Sequence, residues 1–268
     1  AINQWEQAED SMYTLCGKDR IHPSTDGHLV MAYLFLKAQG LAGKPVADIR
    51  IDGAGKKVTR SDNCRVSDLS VSSDNLTFTY EAKSLPYPID TSYYDNEKHT
   101  QADALSVIPF MDEMNYEGLS VSGLSDGYYG LTIGREFIGR FTARELERGI
   151  NMALLQNTPQ YKQAMKIRQM NEERWLKERK MREFYWVEYN LMRKTGMLWA
   201  CNEAAVDTLR KYRPHDIFLQ WNGDLWLQYM HKGIREDCVN EQQDLVNQIY
   251  EQNKPIPLRI EIKKFTDL

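Results

Sequence analysis

The chain has 268 residues, of which 42% are hydrophobic and 27% are charged, and its net charge is -4. This length and composition allow a stable core, which excludes an intrinsically disordered protein. The 34 basic and 38 acidic residues are spread along the chain, which excludes a general basic surface for nucleic acid.

The segment from Asp19 to Gly40 predicts a short loop followed by a helix. Pro23 ends the loop, the small polar residues 24–26 can cap the helix, and Gly40 is placed to end it. Residues 29–36 are apolar almost all round, which predicts a helix buried against a sheet.

From residue 46 to residue 141 the sequence predicts a β-rich module. Short alternating runs are bounded there by turn-forming Gly, Asp, Asn and Ser. A helix over residues 103–117 is expected to interrupt the strands. The predicted strands are 47–51, 65–72, 76–82, 119–122, 128–133 and 136–141.

From Thr142 onward the pattern is helical. Thr142-Ala143-Arg144-Glu145 fits a capping box, and Pro159 opens a long helix that runs to about Tyr189. Two further helices are predicted over residues 202–212 and 237–253, and the alternation from Leu258 to Lys263 predicts a terminal strand.

Two surfaces of this helical region have alternative interpretations. The basic and aromatic helix 162–193 could bind nucleic acid, but interspersed Glu residues favour a solvated face of ion pairs. The aromatic-rich region Leu198 to Tyr229 contains Trp199, Trp221 and Trp226, which either pack in a core or stack on sugar rings.

The four cysteines indicate neither metal binding nor disulfides. They lie far apart without CxxC or Cys/His ligand spacing, so we predict unpaired thiols and no metal site. They are Cys16, Cys64, Cys201 and Cys238. No apolar run approaches the roughly 20 residues that cross a bilayer, so no membrane span is expected.

A catalytic pattern occurs near the start of the chain, at Asp19-Arg20-Ile21-His22-Pro23. A carboxylate three residues before an imidazole can hold it in the tautomer that takes a proton from a hydroxyl. Such a spacing also occurs by chance in many proteins. In that case the histidine is structural or the aspartate caps a helix. The surrounding residues, from Gly17 to Gly40, resemble a bacterial subgroup of the SGNH/GDSL ester hydrolases.

The resemblance extends over nearly the whole chain. It implies a mixed α and β fold in three parts: residues 1–45 are a remnant of an SGNH α/β hydrolase layer, 46–141 the β-rich module, and 142–268 a helical module with a terminal strand. The last two resemble the subgroup's large C-terminal extension, to which no catalytic duty is assigned. The stretches that carry this resemblance are 63–67, 84–90, 149–154 and 253–257.

The chain departs from the family pattern before Asp19. The family's Ser, Gly and Asn blocks precede its D-x-x-H block, whereas here only 18 residues do so, and their one serine, Ser11, lies in an unrelated context. We therefore expect that an N-terminal half of the hydrolase lies outside this chain, and that the chain alone is nearly inactive.

The resemblance implies carboxylic-ester hydrolysis by Ser-His-Asp acyl transfer, without a cofactor. Asp19 and His22 would be the catalytic acid and base, and Arg20 and His28 are candidates to line the site, although a structural role at the helix start is favoured for His28. The expected partners are a small-molecule or carbohydrate ester and the other half of the hydrolase domain. Localisation is open; resemblance to exported bacterial proteins points to the periplasm or secretion. The alternative is a non-catalytic module that binds carbohydrate or protein.

Overall fold

The computed structural model describes residues 14–16, 20–92 and 99–265. The predicted mixture of α and β structure is confirmed: two β-sheets are joined to a helical C-terminal region. The chain forms two compact units. They are Ala1–Met165 with Lys254–Leu268, and Lys166–Asn253.

Each predicted strand is present with similar bounds. Two further strands, Lys57–Asp62 and Ile150–Asn151, were not predicted. Lys57–Asp62 was missed because five of its six residues are exposed, so it carries no apolar alternation. Within the described ranges the strands are β1 (Ala47–Asp52), β2 (Lys57–Asp62), β3 (Cys64–Val71), β4 (Asn75–Ala82), β5 (Glu117–Ser122), β6 (Tyr128–Ile133), β7 (Glu136–Thr142), β8 (Ile150–Asn151) and β9 (Leu258–Lys264).

The helices match the predicted positions in five places and differ in two. The single helix predicted over residues 103–117 is wrong: a 3-10 turn at Gln101–Ser106 and a short helix are separated at Pro109, which disfavours helical backbone in the residue before it. The helix at Ile217–Tyr229 was not predicted. The α-helices are α1 (Thr25–Ala38), α2 (Phe110–Glu113), α3 (Ala143–Arg148), α4 (Pro159–Val187), α5 (Glu203–Tyr212), α6 (Ile217–Tyr229) and α7 (Lys232–Gln252).

The first unit contains both sheets. One has the strand order β2-β1-β5-β8, in which β1 and β5 are parallel, and the other has the order β3-β4-β9-β6-β7. Strand β9 pairs antiparallel with both β4 and β6, so it completes the middle of its sheet. Both sheets contribute to one hydrophobic core, which includes Ile49, Leu119, Phe78, Leu131 and Ile260.

The second unit is helical and has its own core. Phe184 and Val187 from α4 pack with Leu209 from α5 and Trp226 from α6, and all four are almost fully buried. Helix α4 ends in a π-helical turn at Glu188–Met192. The predicted ion pairs four residues apart are present on α4, where glutamates alternate with the basic side chains.

Candidate active site

The D-x-x-H-P loop leads into α1. Asp19 lies outside the described residues, while Arg20 and His22 are exposed to solvent. Arg20 has a φ of 58°, in the left-handed region that costs a non-glycine residue about 1 to 2 kcal/mol. Strained residues of this kind cluster at active sites and ligand clamps. The loop therefore presents His22 at an accessible surface.

The loop is fixed to the short segment that precedes it. Pro23 forms an antiparallel bridge with Cys16, and the Ser24 backbone N–H donates to the Leu15 carbonyl oxygen at 3.2 Å. The Ser24 hydroxyl points to the same carbonyl at 3.4 Å. These contacts hold the residues on both sides of the catalytic pattern close together.

Asp26 is a buried acidic residue three positions after Pro23, the last residue of the D-x-x-H-P pattern. One carboxylate oxygen accepts hydrogen bonds from the Ser24 hydroxyl and, at 2.8 Å, from the Gly27 N–H. The other oxygen is buried without a hydrogen-bond partner and lies 3.8 Å from His99 Nδ1. A buried carboxylate is costly unless it is paired, so protonated His99 would stabilise it. This contact could not be predicted from sequence patterns, because the two residues are 73 positions apart.

Gly27 permits the close approach of the preceding segment to α1. A Cβ atom at this position would lie 2.0 Å from the Leu15 carbonyl oxygen and 3.3 Å from Pro23 Cβ. The backbone oxygen cannot move without breaking the Leu15–Ser24 hydrogen bond. Any side chain at position 27 would therefore displace the loop.

His28 is exposed and begins the second turn of α1. Its Nδ1 lies 3.0 Å from the Ser24 carbonyl oxygen, to which it donates when that nitrogen carries the proton. Its backbone N–H also bonds to this oxygen, at 2.9 Å. These contacts favour the structural interpretation of His28 over a role in lining the site.

The C-terminal half of α1 is held by a polar network. Tyr33 Oη donates to Glu113 Oε2 at 2.7 Å, and Lys37 Nζ lies 2.7 Å from the same oxygen. The hydrogen bonds from Lys37 and then Tyr33 hold the pKa of the Glu113 carboxyl below its ordinary value. The network anchors the helix that follows the catalytic loop to α2.

Helix α1 is only half buried within this chain, although its residues are apolar almost all round. Leu29, Val30 and Tyr33 are buried, but Leu34 and Phe35 are 46% and 64% exposed. With Met31, which is 56% exposed, these residues share one helical face at spacings of three and four. The chain therefore presents an apolar surface beside its catalytic pattern.

The aromatic-rich region of the second unit divides into core and surface. Trp226 is fully buried and Tyr229 nearly so, which supports the packing interpretation for these two. Trp199 and Trp221 are 46% and 67% exposed. The surface tryptophans leave open a role in binding.

No group of three or more His, Cys, Asp or Glu side chains in the described ranges is arranged to hold a metal ion. The four cysteines are unpaired, as predicted. None of the helices in the part of the chain that the structure covers is both long and apolar enough to cross a membrane.

Comparison with known proteins gives two matches. Residues 165–254 match the model of a family described as the diltiazem deacetylase C-terminal helical domain. A solved structure of a gut microbial diltiazem-metabolizing enzyme is 41% identical to this chain and superposes with a TM-score of 0.92. The comparison with curated proteins finds no match.

The similarity covers 98% of this chain but 60% of the diltiazem-metabolizing enzyme, so the chain spans about three fifths of that protein's length. Both matches together show that the C-terminal region of this chain is similar to the helical domain of diltiazem deacetylase.

Proposed function

We propose that this chain is part of a carboxylic-ester hydrolase of the SGNH/GDSL kind. The observation that carries the proposal is its similarity, along 98% of its length, to a diltiazem-metabolizing enzyme. The match of residues 165–254 to a family named for a deacetylase points to the same reaction class. Transfer of an acyl group to water is the chemistry that a Ser-His-Asp triad performs.

In this proposal Asp19 orients His22, and His22 moves the protons. His22 takes the proton of a serine hydroxyl as the serine oxygen attacks the acyl carbon, and then gives it to the leaving alcohol. The same imidazole next removes a proton from the water that attacks the acyl group, and returns it to the serine oxygen as the acyl–serine bond breaks. Arg20, from the same D-x-x-H-P pattern, would line the site. No cofactor takes part.

The serine and the oxyanion donors are proposed to come from the N-terminal half of the hydrolase domain, outside this chain. The exposed apolar face of α1, formed by Met31, Leu34 and Phe35, is a suitable surface for that half to cover. Without it, His22 has no hydroxyl to activate, so this chain alone is expected to be nearly inactive. Residues 1–45 would then belong to the hydrolase domain, with 46–141 and 142–268 as its extension.

The substrate class follows from the reaction and from the resemblance. An acyl or acetyl ester of a small molecule or of a carbohydrate is proposed, with the alcohol as leaving group. The exposure of His22 on the loop surface supports access by such a substrate. The periplasm or the exterior of a bacterial cell is the proposed location.

The test begins with the natural protein, whose intact mass and N-terminal sequence show the length of the mature polypeptide. Hydrolysis of p-nitrophenyl acetate is then measured for this protein and for His22→Ala, with the exposed His215→Ala as the matched control. We expect His22→Ala to lower kcat/KM by roughly 10³-fold or more, and His215→Ala to leave it unchanged. Equal activity of the His22→Ala and wild-type proteins would refute the proposal.

A second candidate function is a non-catalytic module that binds carbohydrate or protein. The exposed aromatic residues of the second unit favour it. A natural protein of 268 residues without esterase activity would support this alternative, and ester hydrolysis by the isolated chain that depends on His22 would contradict the expected inactivity.

A further inference from the structure

The second unit displays a tryptophan on an unfavourable backbone. Trp199 has a φ of 64°, in the region that costs a side-chain-bearing residue about 1 to 2 kcal/mol. Its side chain is nevertheless 46% exposed, so burial of the indole does not fully account for this conformation. Strained residues held by their surroundings are concentrated at binding and catalytic sites.

A buried carboxylate holds Trp199 in this conformation. Glu188 is 1% exposed, and its Oε2 accepts a hydrogen bond from the Trp199 backbone N–H at 2.8 Å. Its Oε1 accepts one from Trp226 Nε1, also at 2.8 Å. Glu188 begins the π-helical turn after α4, a feature that often occurs at functional sites. Glu188 is therefore a positioning residue for Trp199.

Two tyrosines extend the indole into an aromatic platform. The rings of Tyr185 and Tyr189 meet Trp199 nearly at right angles, with centroids 6.0 and 5.9 Å away. Both tyrosines are partly exposed, at 39% and 48%. Phe184 lies beneath, with its centroid 6.3 Å from that of Trp199. We call the set of Trp199, Tyr185 and Tyr189 the aromatic platform.

Tyr185 also lines an open groove of about 530 Å³. The charges of the groove are balanced, because Lys232 pairs with Glu236 at 3.0 Å and Asp237 offsets Arg235. The Arg235 guanidinium donates to the backbone carbonyls of residues 229 and 230 and lies over the Phe184 ring. The groove therefore has hydrogen-bonding groups without an excess of either charge.

We propose that the aromatic platform and this groove bind a ring of a neutral carbohydrate. A sugar ring has an apolar face of C–H groups that can lie on an aromatic ring, and hydroxyls that bond to mixed donors and acceptors. The balanced charge disfavours a phosphate or a nucleic acid, which require a positive groove. The site is independent of ester hydrolysis, because every residue in it lies in the second unit.

The test uses the full chain and a panel of neutral hexose and pentose oligosaccharides, titrated by calorimetry. We expect saturable binding that Trp199→Ala weakens about tenfold or more, while Trp175→Ala, which removes another exposed tryptophan of the same unit, leaves it unchanged. Trp199→Tyr should restore part of the affinity, which separates loss of the ring from general damage to the fold.

Three results would overturn the proposal. The first is the absence of binding by every saccharide up to about 20 mM, a limit that includes very weak sites. The second is equal binding by Trp199→Ala and the wild-type chain. The third is binding of a protein or an anionic ligand to this surface while neutral saccharides do not compete. Circular dichroism of each variant confirms that the helical unit is folded.

Discussion

Replacing Glu117 with glutamine should stabilise the first unit above neutral pH. Glu117 in β5 is completely buried, and this desolvation raises its pKa to about 7. Tyr80 Oη donates to it at 2.7 Å and Gln160 Nε2 at 3.2 Å, but these bonds only partly offset the burial. A glutamine keeps the shape of the side chain, removes its charge, and brings an N–H donor near the buried, unpartnered Oε1 of Gln160.

The magnitude follows from the difference between the folded and unfolded pKa values. A rise from 4.5 to about 7 corresponds to about 3 kcal/mol, since one pKa unit is worth about 1.4 kcal/mol. The folded state holds the proton more tightly than the unfolded state. Its stabilisation is therefore complete below pH 4.5 and is lost as the pH rises to about 7. Above that pH the buried carboxylate opposes folding.

Hydrogen exchange read by mass spectrometry is a suitable assay, because the five tryptophans of the described residues all lie in the second unit and do not report on β5. Wild type and Glu117→Gln are compared at the same pH for peptides from β4 and β5 across a urea series. The gain in unfolding free energy for Glu117→Gln should be about 2 to 3 kcal/mol larger near pH 8 than near pH 5. The exposed Glu147→Gln serves as control, and a gain that does not change with pH would refute the argument.

Three further substitutions test local contacts within the first unit or the second. Gly27→Ala should detach the segment 14–16 from the start of α1. Faster hydrogen exchange in residues 14–16, with unchanged exchange rates in the second unit, would show this detachment. Glu188→Ala should lower the melting temperature of the second unit, because the buried Trp226 Nε1–H loses its acceptor at a cost of about 1 to 3 kcal/mol and the partly buried Trp199 N–H loses its own; an unchanged melting temperature would contradict this. Asp224→Asn should change the unfolding free energy by less than about 1 kcal/mol in urea titrations, since its ion pair with Arg213 is solvent-exposed.

Much of the secondary structure could be predicted because it is determined locally. The capping box at Thr142 forms as predicted, with the Glu145 N–H bonded to Thr142 Oγ1 at 3.2 Å and the reciprocal bond at 2.7 Å. The alternation of Leu258 to Lys263 correctly predicted a strand. That this strand lies between β4 and β6 could not be predicted, because pairing depends on segments more than 100 residues away.

The helix Ile217–Tyr229 shows the limit of periodicity. The turn-forming run Asn222-Gly223-Asp224 interrupts its apolar residues, and Trp221 is exposed while Trp226 is fully buried, so aromatic composition did not reveal which face packs. The π-helical turn at Glu188 and the left-handed backbone of Trp199 were equally hidden. The Glu188 carboxylate bonds to Trp199 and Trp226, which lie 11 and 38 residues further along the chain, so these contacts depend on tertiary packing.

The candidate active site was predictable as a motif but not as a structure. The D-x-x-H-P pattern gives the identities of the proposed acid and base. The contacts that hold the neighbouring residues in place come from residues outside this pattern. Among the described residues these are the Leu15 carbonyl, the buried Asp26 and the approach of His99. Asp26 could be read only as a helix cap from the sequence.

These contacts bear on how a two-part hydrolase would become active. The Ser24–Leu15 hydrogen bond, the Asp26 contacts and the close approach at Gly27 involve only this chain, so Leu15 and Ser24 are held together without a contribution from any other part. Under the proposed function, the other half would need to cover the apolar face of α1 and bring its serine to His22. If these contacts also hold the proposed general base, association would gain activity at little further cost in ordering the residues around it.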